Sequence, residues 1–163
     1  MAVLVVTGGG SQALADLFMV PGASRTVLEA LVPYGDRSMG EFLGRRPARA
    51  ASAETAAALA RKAHERALAL RPRRDLAVLG IACTAALVTD RPRRGEHRAH
   101  VAVCGGRSVG VRSVTLEKNA RTRKGEERVV ADMVLSALGR ACGLPPALCD
   151  ALLPKEPVRV RVI

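Results

Sequence analysis

Aromatic residues are nearly absent from this 163-residue chain, which has no tryptophan, one tyrosine (Tyr34) and two phenylalanines (Phe18 and Phe42). Single-stranded nucleic acid is held largely by bases stacked on aromatic rings, so the formal charge of +11 is poor support for that partner. Lysine is scarce as well: Lys62, Lys118, Lys124 and Lys155 are the only ones. The charge is therefore carried by arginine, which together with abundant alanine is the composition GC-rich coding gives. A solvated arginine surface that attracts anions in general is the simpler reading, and a basic module for RNA or protein partners stays as an alternative. Cys83, Cys104, Cys142 and Cys149 show no C-x-x-C spacing, which argues against a disulfide framework and a metal site. The longest uncharged runs, residues 2–15 and 76–89, are too short to span a bilayer and are broken by glycine. No basic segment and small-residue cleavage site bracket an apolar run, so no secretory signal is expected. These absences predict a soluble, intracellular, cytoplasmic protein with no membrane partner and one hydrophobic core.

What is present begins at once. Val3-Leu4-Val5-Val6 breaks into Thr7-Gly8-Gly9-Gly10-Ser11, a buried strand delivering a glycine loop to a helix. Such a loop places bare N–H groups and small hydroxyls at the carboxyl end of a strand, where open α/β sheets take phosphates. A tight turn is the plain alternative, since neither a Walker A loop nor a full G-x-G-x-x-G is present. A short helix follows over residues 12–20 and stops at Pro21-Gly22; residues 26–32 read as a strand and 38–43 as a helical turn or two. Residues 45–51 form a linker. Ser52 caps a long helix to Leu70 whose Ala56, Leu59, Ala60, Ala63, Ala67 and Leu70 face a sheet. Residues 76–82 read as a buried strand running into a small-residue loop at Gly80-Ile81-Ala82-Cys83-Thr84. Segments 99–104 and 108–115 alternate around Gly105-Gly106 as a β-hairpin. A charged loop over 117–127 precedes a closing helix, 128–142, and a short helix over 146–153 leads to a basic tail. His97 and His100 lie three apart on a strand and so face opposite sides, as half-exposed hairpin residues rather than metal ligands. His64 reads as a surface residue.

This order of elements, with Val20-Pro21-Gly22-Ala23-Ser24, Val32-Pro33-Tyr34 and Leu79-Gly80-Ile81-Ala82, resembles the C-terminal domain of the CinA proteins, the nicotinamide-nucleotide amidases. That family has a strand ending in Glu-Ser-Cys-Thr-Gly-Gly, a Val-Pro-Gly-Ser-Ser turn, a Val-x-Tyr segment with a lysine five residues on, and a Thr-Gly-Ile-Ala-Gly-Pro loop. The resemblance covers residues 5–143. It is closer still to the CinA-like N-terminal region of plant proteins that carry a nucleotidylyltransferase-like domain downstream. There the shared segments are 6–14, 20–24 with 26–34, Thr89-Asp90-Arg91-Pro92-Arg93-Arg94-Gly95-Glu96-His97-Arg98 and residues 114–123. The chain ends before any such partner domain and lacks the helix that precedes the first strand in the bacterial proteins.

The resemblance implies a three-layer α/β/α fold with a mixed, mostly parallel sheet plus a β-hairpin, as a domain over 1–143 with an extension over 144–163. It also implies a symmetric homo-oligomer acting in NAD metabolism. By alignment the nucleophilic serine corresponds to Thr7, the next cysteine to Gly8, the supporting serine to Ser24, the tyrosine to Tyr34 and the lysine to Met39. The threonine of the later loop corresponds to Leu79, and its Gly-Pro to Cys83-Thr84. Hydrolysing an amide this way needs a hydroxyl nucleophile and a base beside it. Methionine has no basic atom, and arginine, present as Arg37, stays protonated. The expectation is a catalytically degenerate domain that binds nicotinamide mononucleotide or a related pyridine nucleotide, with no cofactor and no metal. Gly8, Gly9, Gly10, Ser11, Ser24, Gly80, Thr84 and Arg128 are its expected nucleotide contacts, and Thr7 and Tyr34 its vestigial catalytic positions. Arg128 is chosen because family members place a basic residue near there. Arg91–Arg94 and Arg121-Thr122-Arg123-Lys124 could also flank the pocket. The alternative is an active amidase in which Thr7 is the nucleophile.

Overall fold

The computed structural model describes residues 1–91, 94–145 and 152–163. Most of the helix expected over 146–153, and Cys149, therefore lie outside the described residues. β1 (Ala2–Thr7) is buried along its whole length, as an unbroken apolar run requires of a strand covered on both faces. It is flanked in parallel by β2 (Val27–Leu31) and β3 (Leu79–Ala86). β4 (His97–Cys104), β5 (Val109–Leu116) and β6 (Arg159–Val162) continue the sheet antiparallel, in the order β2-β1-β3-β4-β5-β6. The three-layer mixed sheet matches the expectation, but it is more antiparallel than expected. The basic tail is the reason: its Arg-Val-Arg-Val alternation pairs with β5 as a sixth strand.

α1 (Ser11–Phe18) and α4 (Arg123–Ala141) cover one face of the sheet, packing on Leu4, Val6, Ile81, Cys83 and Val101. α2 (Asp36–Leu43) and α3 (Ala53–Leu70) cover the other, where Val3, Val5, Ala82, Ala102 and Val111 form a second core. Ser52 caps α3 as expected, accepting the Thr55 N–H at 3.1 Å. The alanine stripe Ala56, Ala60, Ala63 and Ala67 lets α3 approach the sheet closely. Gly80 completes that approach, because a Cβ there would stand 2.2 Å from the Ala60 carbonyl oxygen and the His64 nitrogen.

Two boundaries differ from the sequence reading. Residues 80–84, expected as a loop, lie within β3, because β1 and β4 pair with them from both sides. α4 begins at Arg123 rather than 128: Thr122 caps it by accepting the Gly125 N–H, so the charged run is the helix's first turn. No helix among the described residues is long and apolar enough to cross a membrane.

Candidate functional site

Side-chain alternation divides the expected constellation between the two faces of the sheet. Val3 and Val5 point toward α3 and Leu4 and Val6 toward α4, so Thr7 faces the α3 side at the carboxyl end of β1. Its partner across the β1–β3 ladder is Thr84, on the same face. Both are buried, Thr7 being 5% exposed. The Thr84 hydroxyl donates to the Ala50 carbonyl at 2.7 Å, and Arg98 donates to the Ala51 carbonyl at 3.1 Å. These bonds hold the 45–51 linker as a strap across the strand ends.

Met39 is 3% exposed and sits in the α3-side core with Val3 and Val5. It shares the wall of a cavity of about 140 Å³ with Asp36, Arg46 and Ala50. A larger cavity of about 440 Å³ runs on along the linker, its wall carrying Arg45, Arg49, Ser52, Glu54 and Thr55. Thr7, Thr84, Met39 and the linker cavities thus lie on one side of one sheet end. The carboxylates there are committed: Asp36 holds Arg46 at 3.0 Å, and Glu54 holds Arg161 at 3.3 Å. A hydrogen bond from its own backbone N–H, helped by Ser52, keeps the Glu54 carboxyl below its ordinary range.

The glycine loop opens to the α4 side, and its anion position is already filled. Glu127 of α4 accepts the Ser11 hydroxyl at 3.0 Å and the Gln12 N–H at 3.1 Å through one oxygen. That is the place a phosphate takes at a helix N-terminus. Gly8 and Gly10 adopt left-handed backbone, with φ of 73° and 90°. Gly8 also lies so close to β3 that a Cβ would meet the Ala85 carbonyl oxygen at 2.0 Å. Arg123 donates to the carbonyls of Gly8 and Val88, closing the loop from outside. Gly8, Gly9, Gly10 and Ser11 therefore form a tight turn sealed by an internal carboxylate, not the open cradle the sequence suggested.

Other expected contacts are displaced for plain reasons. Ser24 lies in a 3-10 turn (Ala23–Arg25) before β2 and is exposed. Since β2 runs parallel to β1 with Ala2 opposite Val27, Ser24 is at the amino end of the sheet, away from Thr7. Gly80 opposes Val3 near that same end and serves the packing of α3. Tyr34 follows β2 at the carboxyl end but is 66% exposed. Arg128 binds Asp16 of α1 at 2.7 Å and also Asp132. Those carboxylates hold its guanidinium charge more firmly than usual, Asp132 foremost, so it ties α1 to α4. Arg121 is likewise engaged, by Glu156 at 2.6 Å.

His97, expected to be half-exposed, is 4% exposed and its Nδ1 lies 2.6 Å from Glu126 Oε1. His100 faces the opposite side, with Nδ1 2.8 Å from the Ser113 hydroxyl, as the strand period requires. Burial lowers its pKa, and the Arg98 charge adds to that. Burial pushes the Cys83 thiol up, with Glu127 adding to it, so that cysteine is inert. Among the described residues no cluster of His, Cys, Asp or Glu could hold a metal ion. Glu126 and Glu127 are what the sequence reading missed, and the one available signal was a Glu-Glu pair three residues into a helix capped by Thr122.

Comparison with known proteins rests on shape. No protein-family model and no curated protein matches the chain. Among solved structures it is similar to the competence or damage-inducible protein of Enterobacter asburiae, with 16% identity, 85% of each chain covered and a TM-score of 0.63. A CinA superfamily protein of Enterobacter cloacae aligns with 17% identity over 86% of this chain and 79% of that one, with a TM-score of 0.62. The competence/damage inducible protein CihA of Agrobacterium tumefaciens aligns with 18% identity over 86% and 83%, with a TM-score of 0.57. The chain therefore has the fold of the solved CinA superfamily structures.

Proposed function

We propose that this chain is a catalytically degenerate CinA-like domain that binds a pyridine mononucleotide in the linker cavities and leaves its amide intact, as part of NAD metabolism. The observation that carries the reading is Met39. It occupies the position that the family resemblance gives to the lysine base, and it is buried among aliphatic side chains on the same side of the sheet as Thr7. A hydroxyl without a base is a weak nucleophile, and the arginines nearby stay protonated.

With the α1 terminus closed by Glu127, the ligand's phosphate goes to Arg45 and Arg49 on the linker, which have no ion-pair partner among the described residues. The cavity of about 440 Å³ falls in the size range of small-molecule sites. Incubation with nicotinamide mononucleotide tests both halves of the proposal. The expected result is thermal stabilisation without release of ammonia. Ammonia release that disappears in Thr7→Ala would instead establish an active amidase. The subgroup resemblance to plant proteins and the homo-oligomer belong to this reading too, and size measurement with and without the nucleotide checks the latter.

A further inference from the structure

β6 ends the sheet with one edge unpaired, and it is exposed along its whole length. Ile163 and Val109 exchange N–H and carbonyl bonds at 2.9 and 3.0 Å, which fixes the phase of the antiparallel ladder. Arg159 and Arg161, in step with Ile163, turn their backbone groups toward β5, while Val160 and Val162 turn theirs away from the sheet. The outward N–H and carbonyl groups of the two valines have no partner among the described residues. An edge of that kind accepts a further strand unless something covers or blocks it.

The two faces of this edge differ. Val109 and Val111 of β5 point into the α3-side core, so Gly110 and Arg112 face the α4 side, and with them their ladder partners Val162 and Val160. The helix does not reach this far. A Cβ on Gly110 would meet nothing within 4 Å, and Val160 and Val162 are left 66% and 70% exposed. Beside them Arg112 is half-buried; burial, and then the Arg140 charge, push its guanidinium below the ordinary pKa. Neither of these arginines has an ion-pair partner among the described residues. On the α3 side Arg161 shares Glu54 at 3.3 Å between exposed groups, and Arg159 has no ion-pair partner among the described residues. The uncommitted charge along the edge is therefore positive on both faces.

We propose that β6 is the docking edge for an extended acidic segment of a partner protein, added antiparallel beyond it. The segment's apolar side chains lie against Val160 and Val162, and its carboxylates against Arg159 and Arg161. One strand of alternating acidic and apolar residues meets both faces at once, and the outward groups of the valines supply its main-chain bonds. A second copy of this chain fits less well. Two β6 strands bring only arginines as charged side chains, on molecules that each carry a formal charge of +11. The Glu29 carboxylate on the opposite edge strand, β2, is already held by Arg66 through two bonds of 2.8 Å. Three strands separate β6 from β1, so this surface stands or falls independently of the nucleotide reading.

The probe is an acetylated, amidated hexapeptide of alternating glutamate and valine, titrated into the 15N-labelled full chain. The Val160 and Val162 amide signals are expected to move saturably and their hydrogen exchange to slow, because both N–H groups gain acceptors. Residues directly opposite the two valines exchange main-chain bonds with them. The peptide N-methylated on its valines is therefore expected to lose binding, and the one N-methylated on its glutamates to keep it. Val160→Pro removes one outward N–H where a strand edge tolerates proline, and Arg159→Glu reverses a charge facing the peptide. Each is expected to raise the half-saturating peptide concentration about tenfold. Arg159→Glu alters an exposed side chain alone and keeps the test decisive if the proline variant unfolds. Val160 and Val162 signals that the peptide leaves in place overturn the proposal, as does equal binding of the valine-methylated peptide or of a lysine–valine peptide. Protection of both amides that rises with protein concentration before any peptide is added would put a second copy on the edge and overturn it too.

Discussion

A carboxylate oxygen that accepts both the Ser11 hydroxyl and the Gln12 N–H gives the start of α1 what a bound phosphate supplies in nucleotide-binding sheets. The consequence is separable by mutation. Glu127→Ala removes two bonds at a helix terminus and is expected to cost about 1–2 kcal/mol of stability. It also uncovers two donors, so phosphate should raise the melting temperature of the variant more than that of the parent. Denaturation curves with and without phosphate check both; an unchanged increment would mean that Glu127 does not occupy an anion position. The glycine loop itself was legible in the sequence, since an apolar strand breaking into three glycines has few other readings. Its filling was not, because Glu127 lies over a hundred residues away and only the packing of α4 on α1 brings it there. Met39 was singled out only through the family resemblance, by alignment, whereas its burial beside Val3 and Val5 depends on where α2 docks.

Among the elements, α3 and the terminal segment are held by different physics. The α3 contact is steric: at Gly80 a Cβ would meet backbone atoms of the helix at 2.2 Å, and backbone cannot swing aside. Gly80→Ala is expected to destabilise by about 3 kcal/mol through overpacking. Gly106→Ala, which meets nothing within 4 Å, is expected to change stability little. Denaturant midpoints distinguish the two. The segment leading into β6 is held electrostatically. The Glu156 carboxylate accepts both outer nitrogens of Arg121 at 2.6 and 2.7 Å, and the N–H groups of Glu117 and Leu153 at 2.6 and 2.8 Å. Burial pushes its pKa up, but the Arg121 bonds and the two backbone donors outweigh that and hold it below the ordinary value. A lowered carboxyl pKa contributes stability above the unfolded pKa, and that stability is lost as pH falls through the folded one. Glu156→Gln is therefore expected to cost about 2 kcal/mol at neutral pH, with the gap to the parent closing below about pH 4. A gap that stays constant down to pH 3 would contradict the ion pair. The long, strongly patterned elements, β1, α3 and the β4–β5 hairpin, follow from apolar periodicity and capping. β3 and α4 were misjudged at their ends, since cross-strand partners and a Thr122 cap decide those boundaries. β6 escaped because a four-residue strand of alternating arginine and valine reads locally as a charged tail.

At the scale of the whole molecule, the chain has the fold of the solved CinA superfamily structures, and the proposed site lies where β1 and β3 end side by side. Thr7 and Thr84 stand side by side beneath the linker strap, Met39 is buried among apolar side chains on the same side of the sheet, and the start of α1 is satisfied internally by Glu127. The remaining positive charge lies along the linker and across the surface, in keeping with a net charge of +11. It is this arrangement that the proposed reading, binding of a nucleotide without cleavage, rests on. A proton NMR time course of nicotinamide mononucleotide with the protein reads both properties in one sample. The nicotinamide ring signals are expected to broaden and shift with added protein while the amide form persists throughout. Growth of nicotinate mononucleotide signals, or ring signals that the protein leaves untouched, would contradict it.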